Sequence, residues 1–156
     1  MSITLNDPIP AFSCLTTSNQ TLDSKDLAGK QVVIYFYPKD CTPGCTQQGE
    51  DFRDHYAEFA ASNTVIYGVS RDKLALHEKF KAEHNFPFEL IADPSEELCK
   101  LFGVMHEKNM YGKKVMGIQR STFLFDDKSI LRQEWRAVKV PTHVKTVLAA
   151  AQTLAN

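Results

Sequence analysis

Apolar residues along this chain switch between unbroken runs and a spacing of three and four, and the switches predict alternating strands and helices. Phe12–Thr16 reads as a short strand, and Asp23–Gly29 as a helical turn closed by its glycine. Val32-Val-Ile-Tyr-Phe-Tyr37 is β-branched or aromatic throughout, as in a central strand covered on both faces. Pro38 ends it, since proline has no N–H to give the ladder. From Cys45 to about Ser62 positions 45, 49, 52, 56 and 59 share one helical stripe, and four of them are Cys45, Phe52, Tyr56 and Phe59. Thr64–Ser70 is a second buried strand. Asp72 is placed to cap a helix running to about His84, with Leu76 and Phe80 on its inner face. Phe88–Ile91 is a third strand. Asp93-Pro94-Ser95-Glu96 then has the cap, the first-turn proline and the acidic third position of a helix start, and Gly103 stops that helix. Tyr111–Gly117, Ser121–Phe125 and Ile130–Val138 follow as strands, the last entered through the turn Asp126–Ser129. A final helix runs from Pro141 to the C-terminus. Early βαβα units followed by a hairpin and a closing helix imply an α/β domain covering 1–156, a mixed sheet with helices on both faces.

One stretch of this pattern has chemistry in it. Tyr35-Phe-Tyr-Pro-Lys-Asp-Cys-Thr-Pro-Gly-Cys-Thr46 is a strand, a proline-bounded loop and a cysteine opening a helix. A free thiol, with a pKa of about 8.5, is only slightly ionised near neutrality, and the thiolate is the reactive form. The first turn of a helix offers unpaired N–H groups and the positive end of the dipole, which favour the anion. Pro43 and Gly44 let the chain turn tightly into that helix, and Thr42 can point its hydroxyl back toward the sulfur. Because Cys45 heads the stripe of Phe52, Tyr56 and Phe59, its sulfur belongs at the mouth of a pocket against the core. Cys99, beside Leu98, Leu101 and Phe102, and Cys14 read as small buried hydrophobes. Tyr35 and Tyr37 read as core, Lys39 and Asp40 as solvated loop charges.

Composition narrows the function further. Eighteen Lys and Arg stand against 19 Asp and Glu, a formal charge of −1, which gives no electrostatic reason for a nucleic-acid or anionic-membrane partner. The apolar runs are too short for a membrane span. The first residues lack a basic segment followed by an apolar one, so a cytoplasmic protein with reduced thiols is expected. The four cysteines show no C-x2-C pair of the kind structural zinc sites use. The five histidines are scattered, and no spacing supports a Cys–His pair with His55 or His143. Lys108–Lys114 is a polar hairpin without the glycine pattern of a phosphate loop.

Pro38-x-x-x-Thr42-x-x-Cys45 is similar to the signature of the peroxiredoxins. The wider YFYPKD and TPGCT strings, with NMYG and RSTF near 109–123, resemble the bacterioferritin comigratory protein group, the Q-type peroxiredoxins. The resemblance covers nearly the whole chain, and the element order is that of a thioredoxin-like fold with an N-terminal extension. It implies a thiol-dependent peroxidase needing no metal or organic cofactor. Cys45 would attack a hydroperoxide and become a sulfenic acid. Arg120, at the position of the family's arginine, would favour the thiolate and hold the peroxide oxygens. Thr42 would stabilise charge on the leaving oxygen, and Pro38 would shield the sulfur from water. The implied reductant is thioredoxin, glutaredoxin or a small thiol, and the implied state a monomer. Relatives carry a resolving cysteine where this chain has Glu50, or in the next helix where it has Lys81. Cys41 is therefore a candidate resolving thiol, although Thr42 before proline prefers an extended backbone that separates Cys41 from Cys45. The alternatives are a one-cysteine cycle, a Cys41–Cys45 thiol–disulfide exchanger, or a redox sensor.

Overall fold

β-Branched and aromatic side chains build the centre of a seven-stranded mixed sheet in a computed structural model that describes residues 3–156. The order along the chain is β1 (Ser13–Thr16), β2 (Gln20–Asp23), a 3₁₀ turn (Ser24–Leu27), β3 (Gln31–Phe36), α1 (Pro43–Asp54), α2 (Tyr56–Ala61), β4 (Thr64–Ser70) and α3 (Leu74–His84). There follow β5 (Glu89–Ala92), α4 (Glu97–Leu101), β6 (Met105–Met110), β7 (Lys113–Ile118), β8 (Ser121–Phe125), β9 (Leu131–Trp135) and α5 (His143–Ala155). The sheet runs β2-β1-β5-β4-β3-β8-β9, while β6 and β7 pair apart from it as a two-stranded ribbon. Contacts of β3 with β4 and of β4 with β5 are parallel, and the rest of the sheet is antiparallel. The N-terminal extension supplies the β1–β2 hairpin at one edge.

Every residue of β3 is buried, so its side chains supply both faces of the core. Val32, Ile34 and Phe36 face a layer containing Leu98 and Cys99 of α4 with Phe102 and Phe123. Val33, Tyr35 and Tyr37 face the opposite layer, with Cys45 and Phe52 of α1, Phe59 of α2, Phe80 of α3 and Val147 of α5. Helices therefore cover both faces, as the element order predicts. Among the described residues no helix is long and apolar enough to cross a membrane.

Several expectations change in detail. The helix expected over 45–62 starts at Pro43 and breaks at His55, whose backbone leaves the helical region (φ −105°, ψ 8°). The His55 ring Nδ1 meets the Asp51 carbonyl at 2.9 Å, the same carbonyl that accepts the His55 N–H at 3.3 Å. Asp72 does not cap α3. Lys73 holds the cap position, and the Asp72 carboxylate instead accepts from the Asp40 N–H and the Ser70 hydroxyl. His77, rather than Leu76, joins Phe80 as a fully buried residue of that helix. Asp93 does not hold the cap position of α4, which falls to Glu96 in a left-handed conformation and bonded to Arg71, but its carboxylate still accepts from the first-turn N–H groups of Leu98 (3.0 Å) and Cys99 (2.8 Å). Tyr111 opens no strand. With Gly112 it forms the tip of the β6–β7 hairpin, both residues at positive φ.

Candidate active site

β3 and β8 run antiparallel with Phe36 opposite Ser121, so the chain leaving β3 and the chain entering β8 meet at one end of the sheet. This pairing brings Cys45 to Arg120 across 75 residues: one guanidinium nitrogen, Nη2, lies 3.5 Å from the Cys45 sulfur. Cys45 is the third residue of α1, only 2% exposed, in the turn where backbone N–H groups lack helical partners. The other nitrogen, Nη1, donates to Gln48 Oε1 at 2.6 Å. Gln48 is one helical turn after Cys45, fully buried, and its amide nitrogen has no partner. Gly44 makes room for the guanidinium, since a Cβ there would stand 3.3 Å from Nη2. Among the described residues no carboxylate forms an ion pair with Arg120. Its charge is left facing the sulfur, where it attracts a negative sulfur directly.

Tyr35 underlies the site. Burial first, and then the Cys45 and Asp40 charges, push its phenol well above the usual range, so it stays neutral. Lys108 crosses the face of Gly117 on the hairpin, with stem carbons 3.0 and 3.3 Å from where a Cβ would sit. Its ammonium is held below the usual lysine range by burial first, then by Arg120 and Arg71.

The other expected residues occupy different places. Thr42 is the N-cap of α1, in the extended conformation that the following proline favours (φ −89°, ψ 152°). Its hydroxyl donates to the Lys39 carbonyl at 2.9 Å, a bond within the loop. Pro38 is half-buried, two residues past the end of β3. Cys41 is exposed in a left-handed conformation (φ 64°). What burial it has, then the Asp40 and Glu83 charges, push its thiol up. Cys99 is buried and raised mainly by desolvation, as is the half-buried Cys14, pushed up to about 11. His143 bonds to the Thr122 hydroxyl at 2.8 Å, and His55 to the Asp51 carbonyl, so neither is paired with Cys45.

Asp40 is not a solvated charge. It is 2% exposed, accepting from the Tyr37 hydroxyl at 2.6 Å and meeting the buried His77 ring at 2.6 Å. Gln48, Asp40 and His77 do not stand out from the residues alone. The signals were present but weak: Gln48 follows Cys45 by one turn, and His77 precedes Phe80 by three positions on one helix face.

The arrangement is a buried thiol at a helix start, faced by an unpaired guanidinium, with a neutral phenol beneath and a proline-bounded loop beside it. Such surroundings favour a negative charge at the sulfur or on an oxygen brought next to it. Comparison with known proteins agrees. The chain matches the AhpC/TSA family over residues 5–134. It is 43% identical over 156 residues to the peroxiredoxin Bcp of Bacillus subtilis, covering 100% of this chain and 99% of that one. It is 51% identical over 129 residues to the peroxiredoxin Bcp of Xanthomonas campestris, covering 83% and 81%. A structure of peroxiredoxin Q from Xanthomonas campestris superposes with a TM-score of 0.89 at 45% identity, over 93% of this chain and 92% of that one. The PrxQ of Xylella fastidiosa gives 0.94 at 34% identity, over 100% and 99%. Structures of the Xanthomonas campestris bacterioferritin comigratory protein with a trapped intermediate and ligand bear on its alkyl peroxide reduction activity. The chain thus belongs to the AhpC/TSA family of thioredoxin-like thiol peroxidases, and within it to the Bcp/PrxQ group of peroxiredoxins.

Proposed function

We propose that Cys45 is the peroxidatic nucleophile and that the chain reduces hydrogen peroxide and alkyl hydroperoxides to water and alcohols. The observation that carries this reading is the Arg120 guanidinium 3.5 Å from the Cys45 sulfur with no carboxylate of its own. The thiolate attacks the distal oxygen of ROOH, an S–O bond forms as the O–O bond breaks, and RO⁻ leaves and takes a proton to become ROH. Cys45 is then a sulfenic acid. Arg120, held at its other nitrogen by Gln48, stays over the oxygens as charge moves from sulfur to the leaving group, and helix N–H groups add to that field. Thr42 acts through the loop it shapes, and Pro38 closes the side of the site next to β3.

An external thiol returns the enzyme. It attacks the sulfenic acid and releases water, leaving a mixed disulfide that a second thiol of thioredoxin, glutaredoxin or a small-thiol reductant cleaves. Cys14, Cys41 and Cys99 all have thiols pushed up, which makes each a poor thiolate for the resolving step. The four cysteines are free thiols, a state that the cytoplasm maintains, and the working species is a monomer.

Intact mass of reduced protein before and after one equivalent of cumene hydroperoxide tests this. A one-oxygen adduct in the wild type and in Cys41→Ser, absent from Cys45→Ser, is the expected outcome. Loss of two hydrogens that requires Cys41 would make Cys41 the resolving thiol. Peroxide consumption unchanged in Cys45→Ser would overturn the assignment of the nucleophile.

A further inference from the structure

Beneath the loop that links β3 to α1 lies a second set of buried polar groups that the chemistry at the sulfur does not use. Asp40 sits midway between Pro38 and Thr42, and its side chain points inward. One carboxylate oxygen accepts from the Tyr37 hydroxyl at 2.6 Å, the other meets His77 Nδ1 at 2.6 Å, and the Asp40 N–H donates to Asp72 at 2.7 Å. Side chains of Asp40 and His77 have no exposed surface. The other ring nitrogen of His77, Nε2, faces the Ile91 carbonyl at 2.9 Å. A carbonyl only accepts, so Nε2 carries a hydrogen. A second proton must then lie between Nδ1 and the carboxylate, because two lone pairs would repel at that distance. The pair is therefore neutral overall, as an imidazolium with a carboxylate or an imidazole with a carboxylic acid. The direct contact also leaves no space for a cation between these atoms.

We infer that Asp40 and His77 form a positioning pair for the peroxide-gripping loop, tying residues 38–42 to α3 and β5 so that the first turn of α1 meets substrate in one geometry. The charged and titratable groups around the pair are Tyr35 from β3 and Tyr37 just beyond it, Cys41 and Cys45 from the loop and α1, Asp72 before α3, and Lys79 and Glu83 along α3. None of these supplies a second buried cation, which leaves the proton shared with His77 to keep the Asp40 site neutral. The inference rests on Cys45 as nucleophile.

The two roles of the loop separate by reagent. Iodoacetamide reads only the availability of the Cys45 thiolate, whereas a hydroperoxide also needs the loop and Arg120 arranged around two oxygens. In a Cys41→Ser background, both rates are measured below the unfolding range of every variant. Asp40→Ala is expected to lower the hydroperoxide rate by about tenfold or more while alkylation changes by less than about threefold. Asp40→Asn keeps an acceptor for Tyr37 and a donor for a neutral His77, and is expected to stay within about threefold of wild type in both rates. If Asp40→Ala does not fold, Tyr37→Phe removes one bond without volume, and is expected to lower the hydroperoxide rate severalfold with alkylation unchanged. A wild-type hydroperoxide rate in Asp40→Ala or Tyr37→Phe, an equal fall in both rates, or an Asp40→Asn as slow as Asp40→Ala each overturns the positioning role. Cys45→Ser, run alongside, keeps the outcomes apart: its inactivity preserves the nucleophile whatever the pair does, and its activity removes the nucleophile itself.

Discussion

A methyl group at Gly44 would press on the guanidinium that contacts the Cys45 sulfur. The 3.3 Å approach to Arg120 Nη2 is tight, and the guanidinium can yield only by lengthening its contact with Cys45 or Gln48. Gly44→Ala is therefore expected to slow peroxide reduction about tenfold with the melting temperature nearly unchanged, and stopped-flow peroxide consumption checks it. Arg120→Lys keeps the charge but has one nitrogen for two partners 72 and 75 residues away in the chain, so a larger loss, of about tenfold to a hundredfold, is expected in the same assay. A rate within twofold of wild type in both variants would remove Arg120 from the chemistry. These residues differ in how readable they are. Cys45 stands out because its loop, proline and helix start are contiguous. Arg120 is an ordinary surface arginine until the Phe36–Ser121 pairing closes the chain, so only the family resemblance picks it out. Asp40 looks solvated because an acidic residue in a proline-bounded loop usually is, and the histidine that permits its burial lies 37 positions further on.

Along α1, the same glycine pattern has a second consequence. Gly49 lies under the Phe86 ring, where a Cβ would come within 2.4 Å of a ring carbon that belongs to a packed aromatic row with Phe80 and Phe88. Gly49→Ala gains about 1 kcal/mol of helix propensity. The displaced ring costs about 1–3 kcal/mol. A net destabilisation of about 1 kcal/mol is expected in a urea titration, and a stabilised variant would show that the row yields freely. Strands proved easier to read than helix ends. β4 was legible to the residue, because its buried run is bounded by turn residues on both sides. The break at His55 was not, since the stripe of Phe52, Tyr56 and Phe59 passes through it undisturbed. β6 has a polar sequence because its ribbon stands away from the sheet, where no face must be apolar.

The sheet end that joins Cys45 to Arg120 also receives the start of α5, and this couples the site to the stability of the whole fold. His143 packs there against Thr122 of β8 and Trp135 of β9. Burial first, then the Arg120 charge, holds its imidazole down from 6.5 to about 4. In the unfolded chain the ring regains its ordinary affinity for a proton, so between those values the unfolded state binds more protons than the native state. The contribution is thus intact above about pH 6.5 and is lost as pH falls toward 4, on the order of 2–3 kcal/mol at full extent. Glu96, Asp7 and Asp126, whose carboxyls are held low by hydrogen bonds, act in the same direction but only below their unfolded values of 4.5 and 3.8. Above those carboxyl values, the share of the slope that belongs to His143 is the part removed with its imidazole. Between pH 6.5 and 5 the melting temperature is expected to fall less with acid in His143→Gln, whose amide can still pair with Thr122, than in the wild type. Arg120→Met is expected to soften the fall, because the neighbouring cation that opposes His143 protonation is gone. Equal slopes in all three proteins would mean that α5 docks without regard to the charge at the site.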